Sequence, residues 1–181
     1  NGLLSCTGGT YTDESTGETL DAPQLRSVLD VVELVPDTDA EGNVILDEEG
    51  NEVLVEPSYI ASPLTEIVVQ NTINDLNNFQ VVAETINAHF GIRFDTTQVA
   101  PTIVGTDALG AEFAEDADRY GSVLALISQL DADNTDADIS TVLEDLATDI
   151  ADGSFSEESL TALETAQTNL QTTSQVASAV D

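Results

Sequence analysis

A chain of 181 residues is long enough for one real core, with roughly two-thirds of its unfolded surface covered on folding. Its 35 Asp and Glu face 3 cations, Arg26, Arg93 and Arg119, for a formal net charge of −32. Nucleic acids and anionic membranes both select basic surfaces, so neither suits this chain as a partner, and no apolar run approaches the ~20 residues that cross a bilayer.

Hydrophobic residues make up 41% of the chain and recur with clear period. That pattern reads as a folded core under a negative skin rather than a disordered acidic tract. Self-repulsion at low salt is the cost, and screening or bound cations relieve it. A surface rich in acids and without Lys suits a marine, saline or calcium-containing fluid.

In chain order, the first stretch to consider is Leu3-Leu4-Ser5-Cys6-Thr7. It reads as an apolar strand that pairs with a neighbour. The same residues fit the bacterial lipoprotein cleavage pattern, but the basic and apolar segments of such a signal do not precede them here. Cys6 is the one cysteine, so no intrachain disulfide and no multi-cysteine metal site can form. Turn signals follow at Gly8-Gly9, Asp13–Gly17, Glu41-Gly42-Asn43 and Glu49-Gly50-Asn51. Between them lie short runs rich in Val, Leu and Ile. Val28–Val35 is β-like, although Leu25–Leu29 could also start a helix. Val44–Leu46 and Val53–Val55 flank a polar loop and predict a β-hairpin. Pro36 and Pro57 end their segments.

After residue 61 the period becomes helical. Ser62-Pro63 is a helix start, since Ser can cap and Pro suits the first turn; Leu64, Ile67, Val68 and Ile73 form its stripe. A second helix runs from about Phe79 to Phe90, with Val82, Ile86 and Phe90 four apart and Gly91 as its stop. A loop covers 92–105. The third helix, about 107–130, carries Leu109, Phe113, Ala117, Tyr120, Leu124 and Ile127 on one face. The fourth, about 137–151, aligns Ile139, Val142, Leu143, Leu146 and Ile150 and stops at Gly153. The fifth starts at Ser156 and buries Leu160, Leu163, Ala166 and Leu170. The expected class is α+β: N-terminal strands and a hairpin over 1–60, then about five α-helices over 61–181.

Metal chemistry has one candidate. Asp37, Asp39, Glu41, Asn43 and Glu48 fall in a stretch with EF-type spacing: acids at the first, third and fifth positions, Gly42 at the sixth, an apolar residue at the eighth and Glu at the twelfth. Ca²⁺ is therefore the candidate cofactor. Against it, the fifth position is Glu where Asp or Asn is usual, and strands rather than helices flank the loop; an acidic turn explains the same residues. Asp131–Asp138 is a second acidic cluster, better explained by helix capping. His89 is the only histidine and ends a helix, which the helix dipole favours by itself. No nucleophile elbow and no phosphate-cradling loop occur. Carboxylate pairs are so abundant that none singles out hydrolase chemistry.

Three stretches together resemble a known module. Gly8–Gly17 is similar to a segment GGxYxDEATG, Ala61–Glu66 to a TPLT helix start, and Tyr120–Ser128 followed by Leu146–Gly153 to YGxxLAxLSxL … LAxDIADG. The module follows a carboxypeptidase-regulatory-like, Ig-like β-sandwich in large secreted or lipid-anchored bacterial surface proteins of adhesin type. The likeness spans roughly residues 3–155. It implies an extracellular or cell-surface location, outer-membrane anchoring through a larger parent chain, and neighbouring domains, copies or matrix ligands as partners. It implies no catalytic residues. On this basis the expected role is a non-catalytic module for adhesion or surface architecture, stabilised by Ca²⁺, with Leu3–Thr7 continuing an upstream β-domain. The alternative is a filament subunit assembled by β-strand addition through that strand. A secreted hydrolase using a carboxylate pair comes third.

Overall fold

The computed structural model describes residues 2–13, 18–29, 34–39, 42–55, 59–102, 116–134 and 138–172. Several expectations lie outside them: the turn at 14–17, the run over 30–33, Glu41, Pro57, the first part of the third helix with Leu109 and Phe113, and the start of the fourth at 137.

Six short strands precede five helices among the described residues: β1 (Gly2–Cys6), β2 (Thr10–Thr12), β3 (Thr19–Asp21), β4 (Leu25–Leu29), β5 (Val35–Pro36), β6 (Leu54–Val55), α1 (Pro63–Thr72), α2 (Phe79–His89), α3 (Asp116–Asp133), α4 (Ile139–Asp149) and α5 (Glu157–Thr172). This is the expected α+β arrangement. The strands form three separate antiparallel pairs, β1 with β4, β2 with β3 and β5 with β6. The stretch Leu25–Leu29 is a strand, not the start of a helix.

The core is helical, with one strand laid on it. α1 packs against α2, α4 and β4, and α3 packs against α5. Leu64, Ile67, Val68 and Val69 of α1 are all fully buried, so this helix is enclosed on most sides. Ile73, expected on its apolar stripe, is 43% exposed because α1 ends one residue earlier and Val69 takes the inward place. Leu160, expected in the α5 face, is likewise exposed, while Leu163, Ala166 and Leu170 are buried. Val28 of β4 belongs to the same apolar cluster as the helices. For β4, then, residue 60 marks a change of secondary structure and not a change of core.

Two polar devices fix β4 and α1. The Glu66 carboxylate, buried on α1, accepts from the Arg26 backbone N–H at 2.8 Å and from the Arg26 guanidinium through Nε and a second nitrogen. Thr65 Oγ1 donates to the Arg26 carbonyl at 2.8 Å. At the start of α1, Ser62 and Thr65 form a reciprocal capping box. The Ser62 hydroxyl also meets the hydroxyl of Tyr120, which is fully buried on α3 and reaches the Thr96 carbonyl at 3.3 Å. One hydroxyl pair thus locks α1, α3 and the 92–102 segment together. Burial pushes the Tyr120 pKa up, so it stays a neutral donor.

Gly121, next along α3, has a packing reason. The backbone of Thr102 lies so close that a Cβ at 121 would stand 1.8 Å from the Thr102 carbonyl oxygen. The Thr102 N–H donates to the Ala117 carbonyl at 3.0 Å and holds that segment against the helix.

Candidate functional site

Residues 34–55 form a small lobe whose described residues are all exposed or half-buried. An eight-residue repeat builds it. Asp39-x-x-Gly42-Asn43 and Asp47-x-x-Gly50-Asn51 make the same turn. In each, the first Asp carboxylate accepts from the Asn backbone N–H at 2.8 Å and from the Asn side-chain amide, and the glycine has a positive φ of 83° or 86°. Only glycine adopts that φ without strain. Three positions eight apart then close a ring of hydrogen bonds: Asp37 N–H to Val53 O, Ile45 N–H to Asp37 O, and Val53 N–H to Ile45 O.

That repeat accounts for the spacing of the calcium candidates. Asp39 and Asn43 engage each other to close the first turn, and Asp37 Oδ1 accepts from the Thr38 N–H at 2.9 Å. Glu48 is exposed in the second turn, and Glu41 lies outside the described residues. The Asn43 amide donates into the Asp39 carboxylate, so in this arrangement that carboxylate serves the turn. Among the described residues, no three His, Cys, Asp or Glu side chains come together as a metal site.

The second acidic cluster does cap a helix: Asp138 accepts from Thr141 N–H at the start of α4. That bond first of all holds its carboxyl below the usual range. Asp47 is lowered mainly by the Asn51 N–H and Asp149 mainly by the Ser156 N–H. These carboxylates serve the local backbone. His89 ties α2 to the turn after α4: its Nε2 is 2.8 Å from the Gly153 carbonyl, and Phe155 packs edge-on to its ring at 5.6 Å.

The N-terminal strand offers a surface of a different kind. Leu3, Leu4, Ser5 and Cys6 lie in β1; Thr7 follows it. β1 finds a partner within the chain, with Ser5 opposite Arg26 and Leu3 opposite Val28 on β4. Its first ladder is therefore not with an upstream domain. The N–H and C=O of Arg26 both point to α1, where Glu66 and Thr65 take them. In an antiparallel ladder hydrogen-bonded and non-bonded pairs alternate. Arg26–Ser5 and Val28–Leu3 are then the non-bonded pairs, and the backbone groups of Ser5 and Leu3 face outward. Side chains of α1 cap the far edge of β4, and among the described residues no strand covers the far edge of β1. β1 is 5 residues long, mostly exposed, and carries neither charge nor proline. Those are the features by which edge strands ordinarily block further pairing. Cys6 ends this strand as an exposed free thiol.

No family model matches the chain, and neither curated proteins nor solved structures yield a match.

Sequence reasoning found the strand but missed what seals its partner. The signal was available: with 3 cations in the chain, a buried acid such as Glu66 had to claim one. The eight-residue repeat was also readable, in Asp39-x-x-Gly42-Asn43 and Asp47-x-x-Gly50-Asn51.

Proposed function

We propose that this chain is a non-catalytic structural module of a bacterial cell-surface protein, contributing to adhesion or surface architecture through contacts with neighbouring domains or copies. The observation that carries the reading is the outer edge of β1, uncharged, free of proline and uncovered by any strand among the described residues, while side chains of α1 cap the far edge of β4. Backbone donors and acceptors at alternate residues give such an edge affinity for any extended strand. The acidic skin and the surface-module motifs support the cell-surface location.

The same edge favours a second reading, a filament subunit that grows by strand addition. Two measurements test the pair. Protease treatment of intact source cells should release peptides of this chain; recovery only after lysis overturns the surface location. Light scattering of the purified chain then separates the readings. A monomer at every concentration fits a module joined to different domains, and concentration-dependent growth lost on deleting residues 1–12 fits a filament subunit.

A further inference from the structure

A cavity of about 210 Å³ opens between the β2–β4 region, the start of α1 and the helices α3 and α4. That exceeds the ~150 Å³ apolar cavity that takes a benzene ring. Leu25, Leu124, Ile127 and Ile139 supply its apolar walls, with Tyr11 on one side. A sugar or other polyol would find few partners there, which sets the cavity apart from a glycosidase groove.

One oxygen on the cavity wall, and a second one turn beyond the lining residues, break the apolar pattern. Ser128, 9% exposed, lines the cavity, and its Oγ has no hydrogen-bond partner among the described residues. A helical serine would ordinarily bond back to the carbonyl four residues before it. Asp131 stands one turn further along the same face of α3, and its Oδ1 is buried and also unpartnered. Positions three and four apart share a helix face, so Leu124, Ile127, Ser128 and Asp131 grade from hydrocarbon to carboxylate. Tyr11 marks the acidic end. Burial first, then the charges of Asp131 and Asp13, push its pKa up to about 12. Two of the three cations are engaged elsewhere: Arg26 is held by Glu66, and Arg119 donates to the Gly91 carbonyl.

We propose that this cavity binds a small primary amine with a hydrocarbon body, its chain against Leu124, Ile127 and Ile139 and its ammonium toward Ser128 Oγ and Asp131 Oδ1. The ligand is an amphiphilic organic cation, and the site is independent of the β1 edge. An ammonium supplies three donors and a charge to two oxygens that lack both.

The test is calorimetric titration of the whole chain at fixed ionic strength with hexylammonium, 1-hexanol and hexanoate. Hexylammonium should bind more tightly than hexanol by about 10-fold or more, as a charge-assisted hydrogen bond implies. Hexanoate should not bind. Asp131→Asn, checked for folding by circular dichroism, should bring the amine down to the level of the alcohol; Asp138→Asn, at an exposed cap, should not. Ser128→Ala, which keeps the charge, should weaken the amine by a smaller factor. Equal affinities for amine and alcohol overturn the proposal, as does an amine affinity that Asp131→Asn and Asp138→Asn lower alike, since that is diffuse attraction to the net charge. Absence of saturable amine binding overturns it too.

Discussion

Replacing Gly121 with Ala sets two physical effects against each other. In a helix interior alanine is favoured over glycine by about 1 kcal/mol, so propensity alone predicts a more stable protein. The packing predicts the reverse. The new Cβ would lie 1.8 Å from the Thr102 carbonyl oxygen and 2.9 Å from its carbon, where contacts below 3.0 Å force a shift. The obstacle is backbone, so no side-chain rotation relieves it. Moving the 101–102 segment outward strains the 3.0 Å hydrogen bond from Thr102 N–H to Ala117 O. Overpacking costs about 1–3 kcal/mol, and a lost hydrogen bond adds ~1 kcal/mol. After the propensity gain, a net loss of roughly 1–3 kcal/mol remains. For a chain of this size that lowers Tm by roughly 3–10 °C. Thermal and urea unfolding followed by far-ultraviolet circular dichroism would read it. An unchanged or higher Tm would refute the close approach of α3 to Thr102, and with it the reason for glycine at 121.

Glu66→Ala should cost on the order of 3 kcal/mol in urea unfolding, because it leaves Arg26 partly buried without its carboxylate and frees the β4 edge; a loss below ~1 kcal/mol would reduce the pair to a surface ion pair. Asp131 should make stability pH-dependent in a defined direction. Its pKa is raised above 3.8 by burial, then by Asp13 and Asp138, so the folded state holds the proton more tightly than the unfolded state. Its contribution is present at acid pH and is lost as pH rises through the folded pKa. Asp131→Asn should therefore raise Tm at neutral pH and narrow its advantage toward pH 3.8, whereas a pH-independent difference contradicts the burial. Ca²⁺ and Mg²⁺ at equal ionic strength should raise Tm by equal small amounts, as screening of the −32 charge requires. A Ca²⁺-selective gain near 2.7 kcal/mol at ~100-fold excess over the dissociation constant, abolished by Asp37→Ala and Glu48→Ala, would instead establish a formed site.

The helices were legible because each buries a periodic stripe. Val142, Leu143, Leu146 and Ile150 are all buried in the helix and turn their spacing predicts. Ser62-Pro63 opened α1 as read, because capping is a local effect. The misses are non-local. Nothing in the spacing tells that Ser62, Tyr120 and Thr96 meet, or that Gly121 faces the backbone of Thr102, since these contacts close only when α1, α3 and the 92–102 segment pack. A glycine in the middle of an apolar helix was a hint that something approaches closely. A turn and an ion cage draw on the same residues, Asp, Asn and Gly, and differ only in whether the carboxylates face the local backbone or a common centre, which spacing alone does not tell. The cavity was invisible for the reason that Ser128 and Asp131, three apart on α3, read as ordinary polar positions until Ser128 Oγ and Asp131 Oδ1 were seen to be buried without a partner.

The outer edge of β1 is the centre of the functional account, and hydrogen exchange resolved to single amides tests it most directly. In the dilute chain the amides of Leu3 and Ser5 should exchange rapidly, while those of Leu4 and Cys6, in the bonded pairs with Ser27 and Leu25, are protected. In material that is assembled, or extracted from the cell surface, Leu3 and Ser5 should become protected as well. Protection of Leu3 and Ser5 already in the dilute monomer, or rapid exchange that persists in the assembled protein, would contradict the account.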